Sequence, residues 1–178
     1  MATYVALLYS VVLTPQRRVV MADLRQMAGQ LGLTQVRTLA ATGNLVFEAP
    51  ETATAELEGR LEAAFEEKFG CHVDIVVRTS EAWSRLAACN PFPDEASATP
   101  DQVAVRVMRH PVPAGAEGRL GEAAAADEKF RIVGGDIWIV FSRARPNSRL
   151  LAASNHRRFG VGTSRNWNTV RNLAQMLE

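Results

Sequence analysis

The stretch Val36-Arg37-Thr38-Leu39-Ala40-Ala41-Thr42-Gly43-Asn44-Leu45-Val46-Phe47-Glu48 decides how this chain folds. Residues 36–40 and 45–48 are β-rich and flank Thr42-Gly43-Asn44, and Gly and Asn accept the positive φ that a tight hairpin turn demands. Upstream, Val20, Leu24, Met27, Ala28 and Leu31 recur at helical spacing ahead of Gly32, a C-terminal stop, and residues 4–9 form an apolar strand. Downstream, Leu57, Leu61, Ala64, Phe65 and Phe69 form one face of a second helix that ends at Gly70. Val73, Ile75 and Val77 then alternate with His72, Asp74 and Arg78, as a strand with one buried face does. The order is βαββαβ, the ferredoxin-like arrangement.

A shorter version of the pattern follows. Ser80 opens a short helix carrying Trp83 and Leu86, which Asn90-Pro91-Phe92-Pro93 ends. Residues 94–102 are small, polar and proline-containing, and read as a linker. Val103, Val105 and Val107 start a new alternating strand, and an alanine-rich helix covers 115–126. Phe130 and Ile132, the turn Gly134-Gly135-Asp136, then Ile137, Ile139 and Phe141 make a second hairpin. A short helix near Leu150 and a last one from about Asn166 complete the chain. The expected fold class is α+β, with two consecutive ferredoxin-like (βαββαβ-type) halves packed into one compact α/β unit. The expected boundaries are 1–93 for the first half, 94–102 for the linker and 103–178 for the second half with its C-terminal helix.

Composition agrees with a globular chain: 178 residues, 47% hydrophobic and 22% charged, with a net charge of +1. The apolar run from Tyr4 to Leu13 is too short to span a bilayer, which needs about 20 residues, and it lacks the flanks of a signal peptide. Cys71 and Cys89 have no histidine pair at metal spacing and are too few for a disulfide scaffold. These features predict a cytoplasmic protein with no membrane association, no metal and no cofactor.

Several patches taken in order resemble a known family, the bacterial domain of unknown function 1697. They are Tyr4-Val5-Ala6-Leu7-Leu8, Met21-Ala22-Asp23-Leu24-Arg25, Val36-Arg37-Thr38, Gly43-Asn44-Leu45-Val46-Phe47, Asn90-Pro91-Phe92-Pro93 and, most telling, Thr163-Ser164-Arg165-Asn166-Trp167-Asn168-Thr169-Val170. The resemblance covers about residues 4 to 177. It implies a small soluble α/β protein with two ferredoxin-like halves, and it carries no catalytic residues, because the family has no assigned activity. One departure stands out. Where relatives continue Arg-Gly-Ile-Asn-Val-Gly-Gly after the first strand, this chain has Tyr9-Ser10-Val11-Val12-Leu13-Thr14-Pro15.

Charge is divided unevenly along the chain. Between Ile137 and Leu177 lie seven arginines and no acidic residue, whereas Asn44 to Gly70 holds seven glutamates. Arginine without lysine suits planar, bidentate recognition of phosphate or carboxylate. The alternative is internal pairing of the basic tail with the acidic second helix. The expected partner is therefore an anionic small molecule, held by Arg145, Ser148, Arg149, Arg165, Asn166, Trp167 and Asn168. Ser164 or Thr163 would cap the helix that follows, and its N-terminus would add backbone donors.

Nucleic acid is the weaker alternative partner. The central strands offer only Phe47, Trp138 and Phe141 for base stacking, and only if Trp138 points outward. No Gly-x-Ser-x-Gly elbow, phosphate-binding glycine loop or paired histidine occurs, so whether the protein is an enzyme is left open. Small-molecule catalysis by acid–base groups brought together from distant positions, and homo-oligomeric interaction, stand as the other function classes. The oligomeric state is open.

Overall fold

The computed structural model describes residues 1–142 and 147–178. The chain divides into two compact units, Met1–Arg85 with Asn172–Glu178, and Leu86–Arg171. The fold is mixed α+β, with antiparallel sheets and eight α-helices among the described residues.

The first unit runs β1 (Ala2–Leu8), β2 (Val12–Thr14), β3 (Arg17–Arg18), α1 (Met21–Gln30), β4 (Thr34–Leu39), β5 (Asn44–Ala49), α2 (Thr54–Phe69) and β6 (Ile75–Thr79), followed by α3 (Ser80–Ala88). Its main sheet has the order β4-β5-β1-β6, and every neighbouring pair is antiparallel. The apolar residues of α1 and α2 recur every three or four positions, so Leu24, Met27, Leu57, Leu61, Phe65 and Phe69 join Tyr4, Ala6, Leu8, Leu45 and Phe47 in one core. Gly70, at φ 79°, closes α2 by returning its N–H to the Glu66 carbonyl at 2.8 Å.

The edge strand β6 is closed by side chains. Tyr9 N–H donates to the Asp74 carbonyl, which fixes the alternation along the β1–β6 pair and turns the N–H groups of Ile75 and Val77 away from β1. Glu62 Oε1 accepts from Ile75 and Glu58 Oε1 from Val77, each at 2.9 Å. Glu58 and Glu62 lie one turn apart on α2, which matches the two-residue step along the strand.

The first hairpin differs in detail from expectation. Leu39 pairs with Asn44, so the turn is residues 40–43, and the positive φ falls on Ala40 and Gly43. Asn44 is a buried strand residue whose amide donates to Leu39 O and Thr42 Oγ1. At Gly43 a Cβ would stand 2.7 Å from Val11 Cγ1 and 2.9 Å from Leu8 Cβ. Val11 is buried there, whereas Tyr9 and Val12 are exposed.

The second unit runs α4 (Pro93–Ala98), a 3-10 turn (Pro100–Gln102), β7 (Val103–Met108), α5 (Ala116–Ala123), β8 (Lys129–Val133), β9 (Asp136–Val140), α6 (Arg149–Ala153), α7 (His156–Phe159) and β10 (Gly162–Asn166). The helix α8 (Trp167–Gln175) begins here. Residues 94–102, expected as a linker, are thus largely helical. Ala96 is buried, and Lys129 Nζ on β8 reaches Glu95 Oε1 at 2.6 Å, holding that carboxyl below its ordinary value. Gly134 and Gly135 both have positive φ, as a two-residue primed turn requires.

The sheet order is β10-β7-β9-β8. With the β2–β3 ribbon set aside, the strands of each unit numbered along the chain read 4-1-3-2 in both sheets. The sequence missed β10, because Gly-Thr-Ser-Arg-Asn has no apolar alternation. Tertiary pairing makes it a strand: Gly162 opposes Met108, and a Cβ at Gly162 would meet Met108 Sδ at 2.7 Å and Val107 O at 2.9 Å.

Replacing Gly43 by alanine forces a side chain into this contact at a left-handed φ. Gly43→Ala is expected to lower stability by about 1–3 kcal/mol, read as a shifted urea midpoint with an unchanged m-value.

Candidate functional site

The expected anion-binding residues fall into two places. Arg145 lies outside the described residues. Ser148 caps α6: its Oγ accepts from Leu151 N at 3.2 Å and donates to Glu128 Oε1. Glu128 is buried, and its Oε2 accepts from Leu150 N at 3.2 Å and from Ala125 N at 3.0 Å. A carboxylate of the protein therefore already occupies the start of α6, and the donors around Ser148 are turned inward.

The second place is the junction of β10 and α8. Arg165 is buried, and its Nη1 donates to Thr163 Oγ1 at 2.8 Å and to Ser164 O at 3.0 Å. Asn166, not Thr163 or Ser164, caps α8, its Oδ1 accepting from Thr169 N at 3.0 Å and Thr169 Oγ1 at 2.9 Å. The hydroxyl residues lie too early because β10 extends to Asn166. Asn166 and Asn168 both donate to Asp101 Oδ1, at 3.3 and 2.7 Å, so an acidic side chain stands at this helix start as well. Trp167 packs against Trp138, with ring centroids 6.1 Å apart. Trp138, Phe47 and Phe141 are all buried, which removes the aromatic platform that base stacking would need.

Among the described residues of the expected set, only Arg149 faces open space. It lines a groove of about 690 Å³ on the second unit together with Arg119 and Glu122 of α5, Asn155, and Arg158 of α7. The groove is built by short helices whose starts are pinned by side chains: Ser148 and Glu128 for α6, and Asn155 Oδ1, accepting from Arg158 N at 3.2 Å, for α7. Arg119 stacks over the buried Phe159 ring, its Cζ 5.4 Å from the centroid, and donates to Ala114 O at 3.3 Å. No carboxylate of a described residue pairs with Arg119, Arg149 or Arg158.

Sequence reasoning missed Arg119, since it belongs to a helix that reads only as alanine-rich. Arg158 stood within the basic tail but carried no spacing that set it apart. The α2 carboxylates of Glu58 and Glu62 accept backbone N–H groups, and Glu56 pairs with Arg60 at 3.9 Å.

Glu128 fixes the wall of the groove that carries Arg149. Glu128→Ala strips an acceptor from two backbone N–H groups and from Ser148, and is expected to cost about 1–3 kcal/mol in chemical denaturation. Glu122→Ala, in the exposed groove wall, should stay within about 0.5 kcal/mol of the parent.

Among solved structures the chain is similar to the conserved bacterial protein SP0830 from Streptococcus pneumoniae, at 22% identity and a TM-score of 0.75 over 99% of both chains. That likeness shows the fold. No curated protein matches the chain. No helix among the described residues is long and apolar enough to cross a membrane. A family model described as protein of unknown function (DUF1697) matches residues 1–138, and the chain belongs to that family.

Proposed function

We propose that this protein is a binding module for an anionic, phosphorylated small molecule, held in the arginine-lined groove of the second unit. The observation that carries this reading is the convergence of Arg119, Arg149 and Arg158 on one open volume with Glu122 as the opposing charge and no carboxylate partner among the described residues. Guanidinium groups leave water at modest cost and present paired donors that match phosphate oxygens. The stacking of Arg119 on Phe159 holds one of the three in place. Of the residues expected from the sequence, Arg149 keeps a binding role; Arg165, Asn166 and Asn168 hold the fold together instead.

The same proposal places the site on a ferredoxin-like module. The shared 4-1-3-2 strand order of the two antiparallel sheets supports a ferredoxin-like description of each unit. Both cysteines are free thiols, which suits a reducing cytoplasm.

Inorganic pyrophosphate serves as the probe. Calorimetric titration at low ionic strength is expected to show saturable binding that weakens as salt is added. Arg149→Ala and Arg158→Ala should each weaken it about tenfold, the value of one charge-assisted hydrogen bond, while Arg171→Ala leaves it unchanged. Absence of saturable binding by the parent protein, or equal affinity in all three variants, overturns the proposal.

A further inference from the structure

We propose that the turn joining α2 to β6 is a divalent transition-metal site with Glu62, His72 and Asp74 as its protein ligands. One donor atom from each of the three lies within 4.8 Å of the others. His72 Nε2 and Asp74 Oδ1 are 3.4 Å apart, close to the ~3.3 Å edge of a tetrahedron whose ligands stand about 2.0–2.1 Å from the ion. His72 and Asp74 are two residues apart in the stretch leading into β6, so they share a side, and Glu62 reaches them from the middle of α2.

The surroundings match those of a ligand set. Glu62 is oriented by the Ile75 N–H on its Oε1, the kind of backbone donor that fixes a ligating carboxylate. The other nitrogen of the His72 ring, Nδ1, faces Glu66 Oε2 at 4.0 Å. With Nε2 on the ion, Nδ1–H would face that exposed carboxylate, which must close the 4.0 Å gap by about 1 Å to complete a carboxylate–histidine–metal relay. Two carboxylates balance a dication, and one imidazole shifts preference from calcium towards zinc, cobalt or manganese. Three protein ligands leave room for water. The site belongs to the first unit, and its residues are separate from those of the arginine groove, so neither proposal rests on the other.

The test uses the full chain without a polyhistidine tag, stripped with chelator and dialysed. Zinc chloride is titrated calorimetrically, and cobalt chloride by visible absorption. The expected result is one saturable site per chain, with tetrahedral cobalt bands and a rise in melting temperature on zinc addition, because the ion ties α2 to β6. His72→Ala, on an exposed turn, should lower zinc affinity at least tenfold and abolish the thermal shift, Asp74→Asn should weaken binding, and His110→Ala should match the parent. If the parent shows no saturable binding up to about 1 mM ion, His72 and Asp74 make only a side-chain contact and the proposal fails. It fails equally if His72→Ala binds as the parent does.

Discussion

Two carboxylates on one helix close the edge of the first sheet. Strand β6 pairs with β1 on one side only, and its outward N–H groups at Ile75 and Val77 would otherwise be left without a partner. Glu62 and Glu58 take them. The same helix sinks Leu57, Leu61, Phe65 and Phe69 into the core, so its register against the sheet is set twice, by apolar packing and by paired hydrogen bonds. Covering edge N–H groups with side chains is one way proteins discourage edge-to-edge association. It also fixes where Glu62 stands relative to His72 and Asp74.

The second unit applies the same device in another place. Glu128 is buried beneath the start of α6 and accepts two backbone N–H groups and a hydroxyl, while Asp136 Oδ1 accepts Met108 N–H at 2.7 Å. Each acid therefore satisfies donors that helix starts and strand ends leave open. These positions determine what the arginines can do. Arg165 is turned inward beside Thr163, and Arg149 and Arg158 are carried to the groove. Among the described residues, a run of like charge in sequence is thus distributed in space by short helices, with Arg149 and Arg158 on the groove and Arg165 turned inward.

The segment after β1 is held against the first hairpin at its base. Val11 packs against the bare backbone of Gly43, and Val19 N–H returns to Val11 O at 2.8 Å, so the β2–β3 ribbon is anchored at its base. Gly43 belongs to the hairpin that first identified the fold, and its lack of a side chain is what admits Val11. The exposed Tyr9 and Val12 lie outside this contact.

Local chemistry was enough to place most of the elements. Helical spacing in α1 and α2, alternation in β6 and β7, glycine stops at Gly32 and Gly70, and the Gly134-Gly135 turn each depend on residues close in sequence, and so were legible there. The βαββ order followed from them, whereas the family resemblance rested on short quoted patches such as Gly43-Asn44-Leu45-Val46-Phe47. What needed tertiary contact was whatever depends on a distant neighbour. Strand β10 is polar and becomes a strand because β7 offers a partner and Gly162 lets the chains approach. The acidic character of α2 read as a counter-charge for the basic tail, and the edge N–H groups of β6 give two of its carboxylates another task. The candidate site was legible only at Arg149. Arg119 and Arg158 are 39 residues apart, and their convergence is decided by how α5 and α7 pack around Phe159, which no local spacing encodes.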